Sequence, residues 1–278
     1  MLADYHVHTA FSDDCVYPME DVIKDAIALG LDEICFTDHV DYGVKLDYNE
    51  EGDTFKHDKN GNPIRNTNYP EYFALIEKLQ EQYKDQITIR KGLEFGLQMN
   101  TLDKYQKLYE TYPMDFIIHS NHQVNDIEIY LPQYREGRTQ IEYNRIYYEE
   151  ILRTVTHYKN YSVLGHLDSM NRYDPEGALD LSYFEDLVYE ILKIVINDNK
   201  GIELNTANIR YHVKDLTPCR GILKIYHDLG GKIITIGSDS HKREHLGFNI
   251  EKAKEELKNL GFEYYCTYSK MEPIFHKL

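Results

Sequence analysis

Residues 3–39 read ADYHVHTAFSDDCVYPMEDVIKDAIALGLDEICFTDH, and this stretch decides the fold class. A short apolar run, Ala3–Val7, leads through a polar turn into an amphipathic stretch, Pro18–Leu29. Proline at its start and Gly30 just past its end are the usual asymmetry of a helix. A second apolar run, Glu33–Thr37, completes a strand–helix–strand crossover of the kind that builds parallel sheets.

The same alternation continues outward. Further strands are predicted at Ile87–Lys91, Phe116–His119, Ser162–Leu164, Gly201–Leu204 and Lys232–Ile236. Helices are predicted at Tyr69–Tyr83, Leu102–Tyr112, Gln140–Tyr158, Ser182–Asn197, Leu216–Leu229 and Ile250–Leu260. Seven such units in 278 residues fit a closed α/β barrel, a single domain over 1–278, better than an open doubly wound sheet. Two polar stretches break the rhythm and read as loops beside a site: Asp41–Asn68, with KNGNP at 59–63, and Tyr130–Arg138.

The totals narrow the function. A formal net charge of −16 repels polyanions, which disfavours nucleic acid or an anionic membrane as a large partner. A small phosphorylated substrate stays compatible, because bound metal ions reverse the sign locally. The four cysteines are widely spaced without a CxxC pair, so neither a disulfide framework nor a cysteine zinc knuckle is expected. The opening MLADYHVHTAFSDD is charged where a signal peptide needs an apolar core, and no apolar run is long enough to span a bilayer; the expected location is cytoplasmic. The 25 tyrosines, without a single tryptophan, are read as packing residues whose hydroxyls find partners.

The strand ends carry the chemistry. His6 and His8 flank Val7, and residues i and i+2 of an extended chain point the same way, so both imidazoles can reach one ion. The later strands end in Thr37-Asp38-His39, Gly92-Leu93-Glu94-Phe95-Gly96, His119-Ser120-Asn121-His122, Gly165-His166-Leu167-Asp168, Glu203-Leu204-Asn205 and Gly237-Ser238-Asp239-Ser240-His241. Each strand thus delivers His, Asp or Glu at its carboxyl end, the edge where parallel α/β folds place their sites. Imidazole and carboxylate are the usual ligands of divalent ions, and the set predicts a polynuclear metal site. His57, His157, His227, His245 and His276 fall in loop, helix or tail patterns and read as surface residues.

This ordered series resembles the polymerase and histidinol phosphatase (PHP) superfamily, and within it the histidinol-phosphate phosphatases. The resemblance covers the whole chain. It implies a distorted (β/α)7 barrel with three divalent ions, Zn, Mn or Fe, at the carboxyl ends of the strands. By position, His6, His8, Glu94 and Asp239 would hold the first ion. Glu94, as a bridge, His122 and His166 would hold the second; His119 is the alternative to His122. His39 and His241 would hold the third, with Asp13 or Asp14 where many relatives carry histidine.

The implied activity is hydrolysis of L-histidinol phosphate, the penultimate step of histidine biosynthesis. A pair of ions ~3.5–4 Å apart polarises phosphoryl oxygens and makes hydroxide from water at neutral pH. Glu94, Asp239 and His241 are the catalytic candidates, the last two as acids for the leaving group. A guanidinium would grip the phosphate in a bidentate fork. Arg172, in the loop after GHLD, is the first candidate and Arg210 the second; Asn205 and Asp168 are candidate contacts to the substrate or to the residues around it. The sequence is also compatible with another PHP-type phosphoesterase, such as a nucleotide phosphatase or exonuclease, and with a non-enzymatic metal-binding domain. Oligomeric state is not legible.

Overall fold

The computed structural model describes residues 1–278. Seven parallel strands follow one another around the sheet: β1 (Ala3–Val7), β2 (Glu33–Phe36), β3 (Thr88–Gly96), β4 (Phe116–Ser120), β5 (Val163–Leu164), β6 (Gly201–Asn205) and β7 (Ile234–Gly237). The ends of the row meet. His8 N–H donates to the Ser240 carbonyl (2.8 Å) and Ser240 N–H to the His6 carbonyl (3.1 Å), making a nearly closed barrel. Helices α1 (Met19–Ala28), α2 (Tyr69–Tyr83), α3 (Leu102–Thr111), α4 (Gln140–His157), α5 (Glu185–Asn197), α6 (Arg220–Asp228) and α7 (Ile250–Asn259) fill the intervals between and after the strands. No helix is long and apolar enough to cross a membrane.

The outer faces of the strands and the inner faces of the helices form one apolar cluster of 59 residues. A smaller cluster joins Tyr5, Cys35, Phe116, Ile118 and Val163 to Cys266 and Tyr268. The last two come from an antiparallel hairpin, β8 (Tyr264–Ser269) and β9 (Glu272–Lys277), which follows the last helix and has no counterpart in the sequence expectation. Its turn is made by Lys270 and Met271, both at positive φ (52° and 66°), rather than by the Asn-Gly or Asp-Gly pair that announces such turns.

Two details position the site. β1 carries a one-residue bulge between Asp4 and Val7, where its pairing with β2 slips. The bulge changes the parity of the strand. Tyr5 joins the small cluster, yet His6 and His8 both reach Glu94. β3 runs on through Gly96, farther than expected, and is pinned on both sides of Glu94. Tyr72 of α2 donates to the Gly92 carbonyl (2.9 Å), and Tyr105 of α3 to the Gly96 carbonyl (2.7 Å). Burying the tyrosine rings while satisfying their hydroxyls is the packing role expected of them.

Candidate metal and phosphate site

Five imidazoles surround one buried carboxylate. Glu94 Oε2 lies 3.2 Å from His6 Nε2, 3.5 Å from His8 Nε2 and 2.9 Å from His39 Nδ1. Glu94 Oε1 lies 3.1 Å from His122 Nε2 and 2.9 Å from His166 Nε2, and accepts a hydrogen bond from Ser120 Oγ (2.6 Å). Asp239 Oδ1 stands 3.7 Å from His6 Nε2 and 3.6 Å from His8 Nε2. Strand register places these groups: His39 pairs with Glu94, and Glu94 with Ile118. The close approach has a backbone requirement as well. A Cβ on Gly237 would collide with His6 Cβ and Glu203 Oε1.

The residues fit divalent ions. His6 Nε2, His8 Nε2, His39 Nδ1 and Glu94 Oε2 are buried without a hydrogen-bond partner, and such orphaned atoms are costly unless something satisfies them. Ligand atoms of four overlapping triads lie within 4.8 Å of one another: His8, His39 and His241; His6, Glu94 and His166; His6, His8 and Asp239; His39, Asp41 and His122. Imidazole with carboxylate and no thiolate suits zinc, manganese or iron. The electrostatics divide the ring: burial would lower His6, His39 and His122, but Glu203, Asp14, Asp41 and Glu94 raise them, His122 to about 9, while His8 goes the other way. Burial would raise the Glu94 carboxyl, but His6, His122 and His39 hold it well below the usual carboxylate range. Burial and the neighbouring His241, His39 and His6 hold His8 well below the ordinary imidazole value, so it is the neutral donor an ion needs.

The structure separates the paired candidates. His119 points out of the barrel: its Nε2 meets Thr154 Oγ1 of α4 (3.0 Å) and its ring packs on Tyr161, so it does not join the ring around Glu94. Strand alternation explains this, because Ile118 and Ser120 occupy the inner face. Asp14 Oδ2 faces His241 Nε2 (3.3 Å) and His39 Nε2 (3.6 Å). Asp13 instead pairs with Lys45 (2.5 Å) and Lys56 (3.1 Å), away from those imidazoles.

Beside the ring opens a cleft of about 520 Å³. Despite the acidic chain, five cationic side chains line it: Lys45, Lys56, Arg172, Arg210 and Lys242. Arg172, whose side chain is only 4% exposed, donates from Nη1 to Asp239 Oδ2 (2.8 Å) and from Nη2 to Asn205 Oδ1 (2.9 Å). It lies over the Tyr211 ring and does not pair with Asp174 or Glu176. Arg210 Nη2 donates to the Ser238 and Asp239 carbonyls (2.7 and 2.9 Å), bracing a backbone in which Asp239 sits at φ 56°.

Asn205 and Asp168 are buried behind the residues that line the cleft. Asn205 ties Arg172, Glu203 and Asp239 together. Asp168 caps the Cys219 N–H (2.9 Å), and burial pushes its carboxyl up to about 6. His245, expected at the surface, lines the cleft; burial, with Arg210 and Lys242 nearby, pushes it down to about 4.

Two residues were missed. Glu203 Oε1 holds His6 Nδ1 (2.6 Å), and Asp41 Oδ1 holds His122 Nδ1 (2.7 Å), the carboxylate–histidine pairs that orient metal ligands. Glu203 was visible two residues before Asn205 at a strand end. Asp41 was hidden at the start of a segment read only as loop.

Residues 4–207 match the PHP domain. The chain belongs to the PHP family. The histidinol-phosphatase of Lactococcus lactis is 33% identical over 273 residues, covering 97% of this chain and 95% of that protein. A probable histidinol-phosphatase of Thermotoga maritima is 29% identical over 269 residues, 97% of each. A crystal structure of the Lactococcus lactis histidinol phosphate phosphatase with zinc, L-histidinol and phosphate overlays this PHP barrel with a TM-score of 0.83 at 32% identity, covering 98% of both chains. The putative histidinol phosphatase of Listeria monocytogenes shares the fold, with a TM-score of 0.73 at 20% identity over 90% of this chain and 99% of that one.

Proposed function

We propose that the protein is a metal-dependent phosphomonoesterase that hydrolyses L-histidinol phosphate to L-histidinol and phosphate. The carrying observation is the juxtaposition of orphaned imidazole nitrogens around Glu94 with guanidinium groups at one end of a single cleft. The full-length likeness to the Lactococcus lactis enzyme supports the substrate.

Three divalent ions, zinc, manganese or iron, complete the reading. His6, His8, Glu94 and Asp239 would hold the first; Glu94, His122 and His166 the second; His39, His241 and Asp14 the third. Ions bound there supply Lewis acidity towards the phosphoryl group and bring the pKa of water towards neutrality. The chain does the rest. Glu203 and Asp41 fix the rings of His6 and His122, and Glu94 spans the two neighbouring sites. Arg172 offers its remaining N–H capacity, Nε being buried without a partner, to the phosphate oxygens on which charge builds. Arg210, with Nη1 likewise unpartnered, holds Asp239 and offers a second donor. Asp239 and His241 both reach the cleft, and His6, Arg172 and His241 hold the Asp239 carboxyl well below the usual carboxylate range despite its burial.

The test compares histidinol phosphate, other small phosphate monoesters and single-stranded DNA with zinc- or manganese-loaded protein. Turnover should favour histidinol phosphate, elemental analysis should give two to three ions per chain, an expectation from the ligand count, and chelation should abolish activity. Faster turnover of single-stranded DNA, or activity indifferent to chelation, overturns the reading.

A further inference from the structure

The segment after His39 carries a chain of alternating charges of which the phosphatase chemistry uses only Asp41. Lys45 Nζ sits between Asp13 Oδ1 (2.5 Å) and Asp41 Oδ2 (2.7 Å), with a side chain only 2% exposed. Lys56 Nζ joins Asp13 Oδ2 (3.1 Å) to Glu128 Oε1 (3.0 Å) at the rim of the cleft. At the inner end, Asp41 Oδ1 meets His122 Nδ1, and His122 Nε2 faces Glu94. A Cβ on Gly96 would collide with Asp41 Oδ1 and crowd His122 Nδ1, so the backbone itself is shaped around this pair.

Asp41 has two possible employments. Its carboxylate lies within ligand distance of His39 and His122, and an unrestrained carboxylate there would enter the coordination of an ion. Alternatively it accepts from His122 Nδ1–H and leaves Nε2 as the donor atom. Turning the carboxylate towards an ion would draw Oδ1 off the His122 Nδ1–H, and the ion pair between Oδ2 and the Lys45 ammonium opposes that turn. We propose that Lys45 is a positioning residue that acts as a built-in cation: it holds Asp41 out of the metal coordination and in place as the acceptor that presents His122 to its ion. Asp13 and Lys56 extend this grip to Glu128, so the loop over the cleft and the His122 end of the ring are held as one unit. A lysine serves where a second metal ion would not, because it satisfies two buried carboxylates without competing for imidazole nitrogens.

The inference rests on the metal reading above, and the experiment keeps the two apart. Zinc release from the loaded enzyme into a chromogenic chelator is followed over time, alongside circular dichroism. Zinc-loaded wild type must release its ions slowly and lose activity as it does; if it is active without zinc, the metal reading itself fails. Given that, Lys45→Met should speed release of one ion per chain by about 10- to 100-fold, the scale of lost support to a ligand. Lys45→Arg should restore most of it, and Lys45→Gln, a milder change should the methionine variant not fold, should fall between. In an Asp41→Asn background, Lys45→Met should add no further acceleration, since the residue acts through Asp41. Wild-type release from both Lys45→Met and Lys45→Gln overturns the proposal. So does an acceleration by Lys45→Met that is as large in the Asp41→Asn background as with Asp41 intact.

Discussion

At the amino-terminal end of the barrel, Tyr5 donates to Glu33 and accepts from the Tyr268 N–H (2.7 Å), Glu33 takes the Arg90 Nε–H (2.9 Å), and Arg90 reaches Ser269 Oγ (3.2 Å). Phe116, Ile118, Cys35 and Val163 fill the space between, and the hairpin lies against them. At the carboxyl end the same strands leave His6 Nε2, His8 Nε2, His39 Nδ1 and Glu94 Oε2 without partners. At one end these polar groups are paired with one another, and at the other they are held open. A buried polar atom with no partner destabilises a fold, so a cluster of them persists only where a ligand completes it. The polar network at the closed end serves packing; the one at the open end serves chemistry.

The sharpest way to break this contrast is a paired substitution. Glu94→Gln removes the charge shared by five imidazoles and should lower turnover by about 10³-fold or more, with loss of bound ions and little loss of fold. Tyr268→Ala at the opposite end should lower stability by about 3–5 kcal/mol, as large aromatic truncations do, while the folded fraction keeps its kcat. Urea unfolding, kcat and elemental analysis on both variants decide it. Normal metal content and turnover in the Glu94→Gln enzyme, or a specific catalytic defect in the Tyr268→Ala enzyme, would dissolve the distinction between the ends.

Much of the open end was legible because metal ligands and strand ends leave local marks. HVH, TDH, GLEFG, GHLD and GSDSH each follow an apolar run, and the structure gathers His6, His8, His39 and His166 around Glu94. What stayed hidden depends on longer-range geometry. Asp41 acquires its role only through His122, which lies 81 residues away in the chain. The bulge that turns both Tyr5 and His6 to use is a property of pairing with β2, not of the β1 residues themselves. The hairpin escaped because Lys270 and Met271 carry no turn signature. His119 against His122 was decidable in principle: alternation from Ile118 and Ser120 already sends His119 outward.

A smaller effect sharpens the boundary between metal ring and phosphate grip. Arg172 touches Asp239 but no imidazole within hydrogen-bond reach, and its buried Nε has no partner. Arg172→Ala should lower kcat/KM for histidinol phosphate by ~10- to 150-fold, corresponding to about 1.5–3 kcal/mol for a charge-assisted contact, with the ions retained. Lysine should recover only part, since a point charge cannot replace a fork that engages Asp239, Asn205 and phosphate together. Unchanged kcat/KM would move the phosphate contact to Arg210.

The smallest effect concerns His119, the histidine of the HSNH motif that faces the helices. Thr154 Oγ1 donates to the Ile151 carbonyl (3.0 Å), so it accepts from His119, which places the ring proton on Nε2 and leaves Nδ1 bare and buried. Burial pushes this imidazole down to about 3, well below its ordinary 6.5. The unfolded chain therefore binds a proton below pH ~6.5 that the fold refuses. The sign follows: stability is unaffected by this group above pH ~6.5 and falls as the pH drops from there towards 3, by at most ~1.4 kcal/mol per pH unit. Other histidines titrate over the same range, so the quantity to measure is a double difference. Urea unfolding of wild type and His119→Gln at about pH 7.5 and about pH 5 cancels what the two chains share. The glutamine can still donate to Thr154 and cannot be protonated, so the variant should lose about 2 kcal/mol less than wild type on acidification. Its metal content and kcat at the higher pH should stay at wild-type values, whereas His122→Gln should lose an ion. A vanishing double difference would mean that His119 is not held neutral by the fold, and an ion lost from the His119→Gln protein would return it to the metal ring.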